Sequence, residues 1–306
     1  MDVRQLRYFA EIVEAKSFTK AAERVRVAQP ALGLQIRKLE EELGVPLLRR
    51  HSRGVEATEA GTVLLKHANA ILKQIEQARQ EVTDLSGPPR GTIVLGITPT
   101  ASALLAAPLL RTCRDLYPDI SLNVVEGLSE QIMRRLDDNS LDMGFTYNPG
   151  AVGGISTEPL LVEDLYVIAP ASAKLSDAPV PFADVCRRKL ILPSRGFGLR
   201  DWVEEAAAEK GLMPDVAFEI DSVATVRELV EAGLGWAILP YGAVGHSVAG
   251  GRLSAARISR PRLSRTMHVG YASAHADSNA SRAVRGVIDS VIADCIASSG
   301  GRFRKP

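Results

Sequence analysis

The sequence predicts an α/β chain led by a small helical unit, and three observations predict it. In the first 58 residues apolar positions recur at helical spacing in three short stretches. From Glu59 to Leu85 the helical spacing runs on without a break. From Thr92 onward short apolar runs alternate with amphipathic helices, the βαβ texture of a mainly parallel sheet. The 306 residues suit two or three domains, and 46% apolar residues can fill real cores.

Residues 2–15 read as the first helix, with Leu6, Phe9, Ala10 and Val13 on one face. Ser17-Phe18-Thr19 breaks it and caps a short helix through Arg24. Val25-Arg26-Val27 is a tight connection. Ala28-Gln29-Pro30 then opens a third helix, with Pro30 in the first turn, where its missing N–H costs nothing. Gly44 ends it. Two helices joined by a short turn, the second starting with polar residues, form a helix-turn-helix pattern. Such a second helix enters the major groove of DNA with its N-terminal side chains on the bases. Val45–Ala57 reads as a hairpin, or wing, carrying Arg49-Arg50-His51-Ser52-Arg53. Between Lys20 and Arg53 stand eight Lys/Arg against four acids, on a chain of net charge +1. A local basic patch suits one DNA-contacting end, although charge alone does not separate that from a solvated face.

Thr58 is the candidate N-cap of the long helix. Leu64, Ala68, Ile71, Ile75, Ala78, Val82 and Leu85 are spaced by four and three residues alternately, a heptad seam. The alternatives are a two-stranded dimer contact and packing on the chain's own core. No neighbouring segment offers a matching face, which favours the dimer. Ser86-Gly87-Pro88-Pro89 ends the helix and marks a boundary. Strands are expected at 92–97, 122–126, 142–146, 165–169, 190–192, 216–220, 235–239 and 268–272. Helices are expected at 101–117, 129–138, 199–210, 223–232 and 280–297. This gives a domain at 1–58, a linker helix and hinge at 59–90, and an α/β unit at 91–306 large enough for two lobes.

No apolar run approaches a membrane helix, and the N-terminus lacks the apolar core of a signal peptide, so a cytoplasmic location is expected. Cys113, Cys186 and Cys295 are too scattered for a disulfide framework or a metal site. No cofactor or metal and no catalytic residue is expected. An enzyme is one rival, since α/β units host catalysis, but no GxSxG, GxxxxGK[ST] or HExxH motif occurs. A transport-type solute-binding protein is another, disfavoured by the attached helix-turn-helix.

Leu6-Arg7-Tyr8-Phe9, Ser17–Ala22, Ala28–Leu32, Gln35–Glu40, Leu43–Leu48, Arg53-Gly54 and Thr58–Gly61 resemble the LysR-type transcriptional regulators. Within that family Leu141–Phe145, Gly154–Leu161 with Glu163–Leu165, and Leu192-Pro193-Ser194 look closest to the nitrogen-assimilation-control branch. The resemblance implies a winged helix-turn-helix, a homodimer through the linker helix, and a dimer of dimers. It further implies a two-lobed periplasmic-binding-protein-like effector domain with a small-molecule co-inducer in its cleft. Lobe I is expected at about 91–162 and 267–306, and lobe II at about 163–266. The expected partners are a promoter inverted repeat in double-stranded DNA, the co-inducer, a second copy and RNA polymerase. DNA contact is expected from Thr19, Lys20, Gln29, Pro30, Leu32, Gly33, Gln35, Lys38, Arg50 and Arg53. Where the family has Ser-Arg this chain has Gly33-Leu34, which removes a hydroxyl and a cation from the recognition helix. Leu48 stands where the family favours Phe.

Two-lobed α/β domains bind ligands at the carboxyl ends of strands, beside helix N-termini. Those places carry Thr98, Thr100, Ala101 and Ser102, then Ser129, then Thr146 and Tyr147 on the first lobe. The second lobe offers Arg195, Phe197 and Ser222. Hydroxyls and free N–H groups there suit an anionic metabolite, while plain helix capping suits Thr100 and Ser102 equally well. Arg195 is either an anion partner or a solvated loop residue. The hinge strands are expected near Leu161–Asp164 and Arg265–His268.

Overall fold

The computed structural model describes residues 1–51, 54–83, 87–149, 155–176, 178–272 and 278–306. Three helices open the chain: α1 (Val3–Ala15), α2 (Phe18–Arg24) and α3 (Gln29–Leu43). Asp2 and Gln5 close a capping box at α1: the Asp2 carboxylate accepts from the Gln5 N–H at 2.8 Å, and the Gln5 amide oxygen accepts from the Asp2 N–H at 2.9 Å. Ser17 caps α2. Gly44 ends α3 at φ +70°, a left-handed conformation that only glycine adopts without strain. Phe9, Ile12, Phe18, Leu32, Ile36, Leu39 and Leu47 fill the core between the helices. The wing follows as an antiparallel pair, β1 (Leu48–His51) and β2 (Gly54–Ala57).

The long helix α4 (Glu59–Thr83) begins against this core, where Leu64 and Leu65 are half-buried and Ala68 is fully covered. Farther along it meets the first lobe. Lys66 pairs with Asp137. The Lys73 ammonium lies 2.9 Å from the buried Asp142 carboxylate and donates to the Asn139 carbonyl at 2.8 Å. Burial lowers the Lys73 pKa, with Asp142 opposing. The sequence showed no face for this helix to pack on. The fold supplies two, because α1 and the turn before Asp142 come together only in three dimensions. Ala78 and Val82, at the far end, stay exposed, Val82 at 71%. Leu85, the last seam residue, lies outside the described residues.

Lobe I comprises β3 (Gly91–Ile97), α5 (Pro99–Leu116), β4 (Ile120–Glu126), α6 (Ser129–Asp137) and β5 (Met143–Tyr147). The strand β6 (Ser156–Pro170) then passes from one lobe into the other. Lobe II holds β7 (Val180–Pro181), α7 (Phe182–Cys186), β8 (Leu190–Leu192), α8 (Gly198–Ala208) and β9 (Val216–Glu219), followed by α9 (Val223–Glu231), β10 (Trp236–Pro240), α10 (Tyr241–Ala249) and β11 (Leu253–Ser259). The chain returns through β12 (Ser264–Tyr271) to α11 (Asn279–Ser298) and β13 (Phe303–Arg304).

The sheet order is β4-β3-β5-β12-β6 in lobe I and β6-β10-β8-β9 in lobe II. β3 runs parallel to β4 and β5, and β8 parallel to β9 and β10. β6 and β12 are antiparallel to their neighbours, so the sheet is mixed where the sequence suggested a mainly parallel one. The cause is the return strand: a chain that leaves lobe I and comes back lays β12 against β6 in the opposite sense. Each lobe buries its own apolar cluster.

Beside the crossing, Asp164 is buried and bonded by Arg262 (2.6 and 3.0 Å) and Arg304 (2.9 Å). Burial alone would push its carboxyl up, but the two arginines outweigh burial and hold it below the usual carboxylate range.

Candidate functional sites

The first site is the outer face of the N-terminal domain. Helical periodicity sorts α3 into two sides. Leu32, Ile36 and Leu39 point into the core. Gln29, Pro30, Leu34, Arg37 and Lys38 are exposed, and Gly33 and Gln35 half-buried. Leu32 is fully buried and offers no surface to a partner, which corrects its expected place in the interface. Its spacing to Ile36 and Leu39 already carried that signal. Arg37, which the sequence reading omitted, sits on the exposed side one turn from Gly33.

Thr19 and Lys20 are exposed at the start of α2, and the Thr19 hydroxyl donates to the Gln29 side chain at 3.3 Å. Arg50, on β1, is exposed with its guanidinium 4.1 Å from the centre of the Phe18 ring. That stacking holds a cation beside the start of α2. Arg53 lies outside the described residues.

The wing is fixed to α3 and α4 by named bonds. The Glu40 carboxylate accepts from the backbone N–H of Leu47 (2.8 Å) and Leu48 (3.2 Å). The Thr58 hydroxyl donates to the Pro46 carbonyl (2.7 Å) and accepts from the Gly61 N–H (3.0 Å). The helix α3, the wing and α4 therefore share one junction.

The second site is a cavity of about 300 Å³ between the lobes. It falls at the low end of the roughly 300–1,000 Å³ typical for small-molecule pockets. Lobe I contributes Thr98, Pro99, Thr100, Leu128, Ser129, Tyr147 and Asn148, with Arg265 from the return strand. Lobe II contributes Phe197, Trp202, Ile191, Ile238 and Leu239, and the acids Asp201, Glu205 and Asp221.

Two lobe I helices begin at this cavity. α5 starts at Pro99 with no side-chain cap from Thr98. The Thr98 hydroxyl is buried and has no hydrogen-bond partner among the described residues. The Ser129 hydroxyl, at the start of α6, accepts from the Tyr147 N–H at 3.2 Å. The floor is an ion pair: Arg265 lies 2.6 Å from Glu163 and donates to the Thr100 hydroxyl at 2.8 Å. Its guanidinium sits 3.5 Å from the centre of the Tyr147 ring. Burial, reinforced by the Glu163 carboxylate, pushes the Tyr147 phenol far above its usual value. Glu163 and Arg265 face each other on β6 and β12, inside the expected hinge strands.

Thus Thr98, Thr100, Ser129, Tyr147 and Phe197 come together at the cavity. Ser102 and Ser222 line an adjoining outer cavity instead, and Ser222 caps α9 by accepting from the Thr225 N–H. Ala101 and Thr146 are fully buried beneath the wall. Arg195 is 76% exposed and pairs with Glu204. These three depart from their expected contact role: the first turn of α5 aims Ala101 into the core, both faces of β5 are covered so that Thr146 is buried, and Glu204 draws Arg195 outward. The sequence reading placed Arg265 in the hinge but not in the site, and it missed Trp202, Asp201 and Glu205. Only their positions on α8, after a strand end, hinted at them.

Residues 3–62 match the family described as "Bacterial regulatory helix-turn-helix protein, lysR family". Residues 86–293 match "LysR substrate binding domain". The chain is 36% identical over 299 residues to the nitrogen assimilation regulatory protein nac of Escherichia coli K12, covering 95% of each. It is 34% identical over 296 residues to the protein of that name from Klebsiella aerogenes, again covering 95% of each. A full-length OxyR structure from Pseudomonas aeruginosa superposes with a TM-score of 0.80 at 26% identity, covering 100% of this chain and 98% of that one. CbnR in complex with its target DNA shares the fold, with a TM-score of 0.68 at 23% identity over 96% of this chain and 99% of that one.

Proposed function

The chain belongs to the LysR family of bacterial helix-turn-helix regulators, and from that premise we propose that it controls promoters in response to a small metabolite held between its two lobes. It is a DNA-binding transcription regulator with a substrate-binding domain, and not an enzyme. Among the described residues no helix is long and apolar enough to cross a membrane. The observation that carries the reading is the inter-lobe cavity with the Thr98 hydroxyl, which has no partner among the described residues, at the uncapped start of α5. That end supplies backbone N–H groups and the positive end of a helix dipole, which suit a carboxylate on the metabolite.

Closure of the lobes on the metabolite would move Lys73 and Lys66, and with them α4 and the paired DNA-binding ends. The spacing of those ends sets how the promoter bends. One relative, 32% identical, is named a hydrogen peroxide-inducible genes activator. A thiol sensor needs a ready thiolate, whereas burial raises the Cys113 and Cys186 thiols here.

The direct test is capture of fragmented DNA from the source organism by the purified protein, with sequencing of what is bound. A few promoters carrying a short inverted repeat are expected. Enrichment no better than random sequence at moderate salt, with and without cell metabolites, would refute the reading.

Two sets of variants refine it. Arg50→Ala is expected to weaken binding to all sequences alike and to reduce the salt slope by about 1, because it removes one phosphate contact. Gln29→Ala is expected to cost roughly 1–3 kcal/mol at its own base pair and relax specificity there. Fluorescence anisotropy over a salt series separates the two. An Arg50→Ala protein with unchanged affinity would remove the wing from the interface.

The dimer reading rests on the α4 residues that the monomer leaves exposed. Val82→Glu and Ala78→Glu touch no described core, so they should yield folded monomers by light scattering with weak half-site binding. Persistent dimers would move the interface elsewhere.

A further inference from the structure

The cavity walls carry opposite electrical character. On the lobe I side stand the uncapped N-terminus of α5 and the Thr98 hydroxyl, with Arg265 already paired to Glu163. On the lobe II side stand Asp201, Glu205 and Asp221, none of which pairs with a cationic side chain among the described residues. Two of these acids have local employment. Asp201 sits in the first turn of α8, where its carboxylate offsets the helix dipole, and it accepts from the Gly196 N–H at 3.1 Å. Asp221 precedes the N-cap of α9 and accepts from the Ser194 N–H at 2.9 Å. Glu205 has no such role. It lies four residues after Asp201 on one face of α8, an i,i+4 pair of like charges that destabilises a helix. All three acids are solvent-exposed at this wall, where an ammonium gains a charge-assisted contact with each carboxylate it reaches. Arg227 lines only the outer cavity and does not reach the inner one.

We infer that the metabolite is amphoteric, a free α-amino acid with an apolar side chain. Its carboxylate lies at the start of α5 beside Thr98, and its ammonium lies against Asp201, Glu205 and Asp221. The side chain fills the apolar remainder formed by Phe197, Trp202, Ile191, Ile238 and Leu239. A plain carboxylate leaves three acids uncompensated, and a plain amine leaves the α5 N–H groups and the Thr98 hydroxyl unpaired. Each lone function forgoes one charge-assisted contact, worth about tenfold or more in affinity. This inference rests on the inter-lobe cavity being the effector site.

The test is calorimetric titration of the full-length protein with leucine, isoleucine, valine, methionine, phenylalanine and tryptophan. Each is paired with its deaminated acid and its decarboxylated amine, for example 3-phenylpropionate and phenethylamine beside phenylalanine. At least one amino acid is expected to bind, with both partners about tenfold weaker or more. Asp201→Asn and Asp221→Asn keep a side-chain oxygen to accept from the Gly196 and Ser194 N–H groups and remove the charge. They should weaken the amino acid severalfold and strengthen the deaminated acid, while Thr98→Val should weaken both. Equal or tighter binding of the deaminated acid, or of the amine, overturns the amphoteric assignment and leaves a metabolite-responsive regulator intact. No binding by any of the six amino acids also overturns it. The DNA-binding reading is judged separately, by promoter capture without added ligand, so the two can fail independently.

Discussion

Replacing Gly61 with alanine is expected to cost the N-terminal domain about 3 kcal/mol and most of its affinity for DNA, the upper end of what overpacking a tight site costs. A Cβ at this position would stand 2.1 Å from the Leu47 carbonyl oxygen and 3.2 Å from the Ala57 Cβ. The obstructing atom is backbone, so no side-chain rotation relieves it. That carbonyl already accepts from the Thr58 N–H at 2.9 Å, and the Thr58 hydroxyl holds the Gly61 N–H. Relief therefore requires the start of α4 to move away from the wing. A domain of this size has roughly 3–9 kcal/mol of total stability, so the loss is a large fraction of it. Where the fold survives, a displaced wing no longer presents Arg50 in register with α3, and affinity falls for every sequence. Gly33→Ala is the contrasting case. A Cβ there meets nothing within 4 Å among the described residues, in a helix interior where alanine is better than glycine by up to about 1 kcal/mol. Chemical denaturation followed by circular dichroism should move the two variants in opposite directions. A Gly61→Ala protein as stable as its parent would mean that the junction is loose, and the shared seating of helix, wing and linker would have to be abandoned.

How much of this was legible in the sequence depends on whether a feature is local. Caps, turns and periodicity are local, and the helices from α1 to α4, the wing and most strands follow the expected spans within a few residues. Tyr241–Ala249 escaped notice because a run with two internal glycines and a single histidine reads as loop, although burial against α5 and β10 holds it helical. The start of β6, ahead of the hinge strand expected near Leu161–Asp164, escaped for a similar reason. Glu158 and Pro159 weaken its pattern, and pairing with β12 imposes the strand.

The same division governs the sites. The basic wing and the polar start of α3 are contiguous in sequence and could be named from it. Leu32 was misplaced because resemblance was followed over periodicity. The cavity is assembled from chain segments more than a hundred residues apart. Hydroxyls after strand ends could be anticipated from the fold, but Arg265 reaches Thr100 across 165 residues, and nothing local announces that meeting. Glu205 and Trp202 look like ordinary members of an amphipathic helix until β8 and β10 show which face is turned inward.

Glu163→Gln is expected to destabilise the effector domain by about 3 kcal/mol or more, the cost of leaving a buried charge without its partner. Glu163 is 1% exposed and Arg265 is 6% exposed, so water does not replace the lost carboxylate. The remaining neighbours of the guanidinium, the Thr100 hydroxyl and the Tyr147 ring, are neutral. For a domain of 150–250 residues this corresponds to a fall in melting temperature of roughly 6–12 °C. The pair joins the two strands that cross between the lobes, so the loss should appear in the effector-domain transition, with the N-terminal transition unmoved. The double variant Glu163→Met with Arg265→Met removes both charges. It should recover most of the loss, because apolar groups of similar volume replace buried ion pairs at little or no cost. With the single variants Glu163→Met and Arg265→Met it closes a double-mutant cycle, which measures the coupling of the pair. It also separates stability from sensing. The double variant should melt like its parent yet respond poorly to any carboxylate effector, since Arg265 is the only cation among the described residues that line the inner cavity. A single variant that melts within 1 °C of the parent would show that the hinge opens readily to water, and the ion pair would then be a contact of the closed conformation alone.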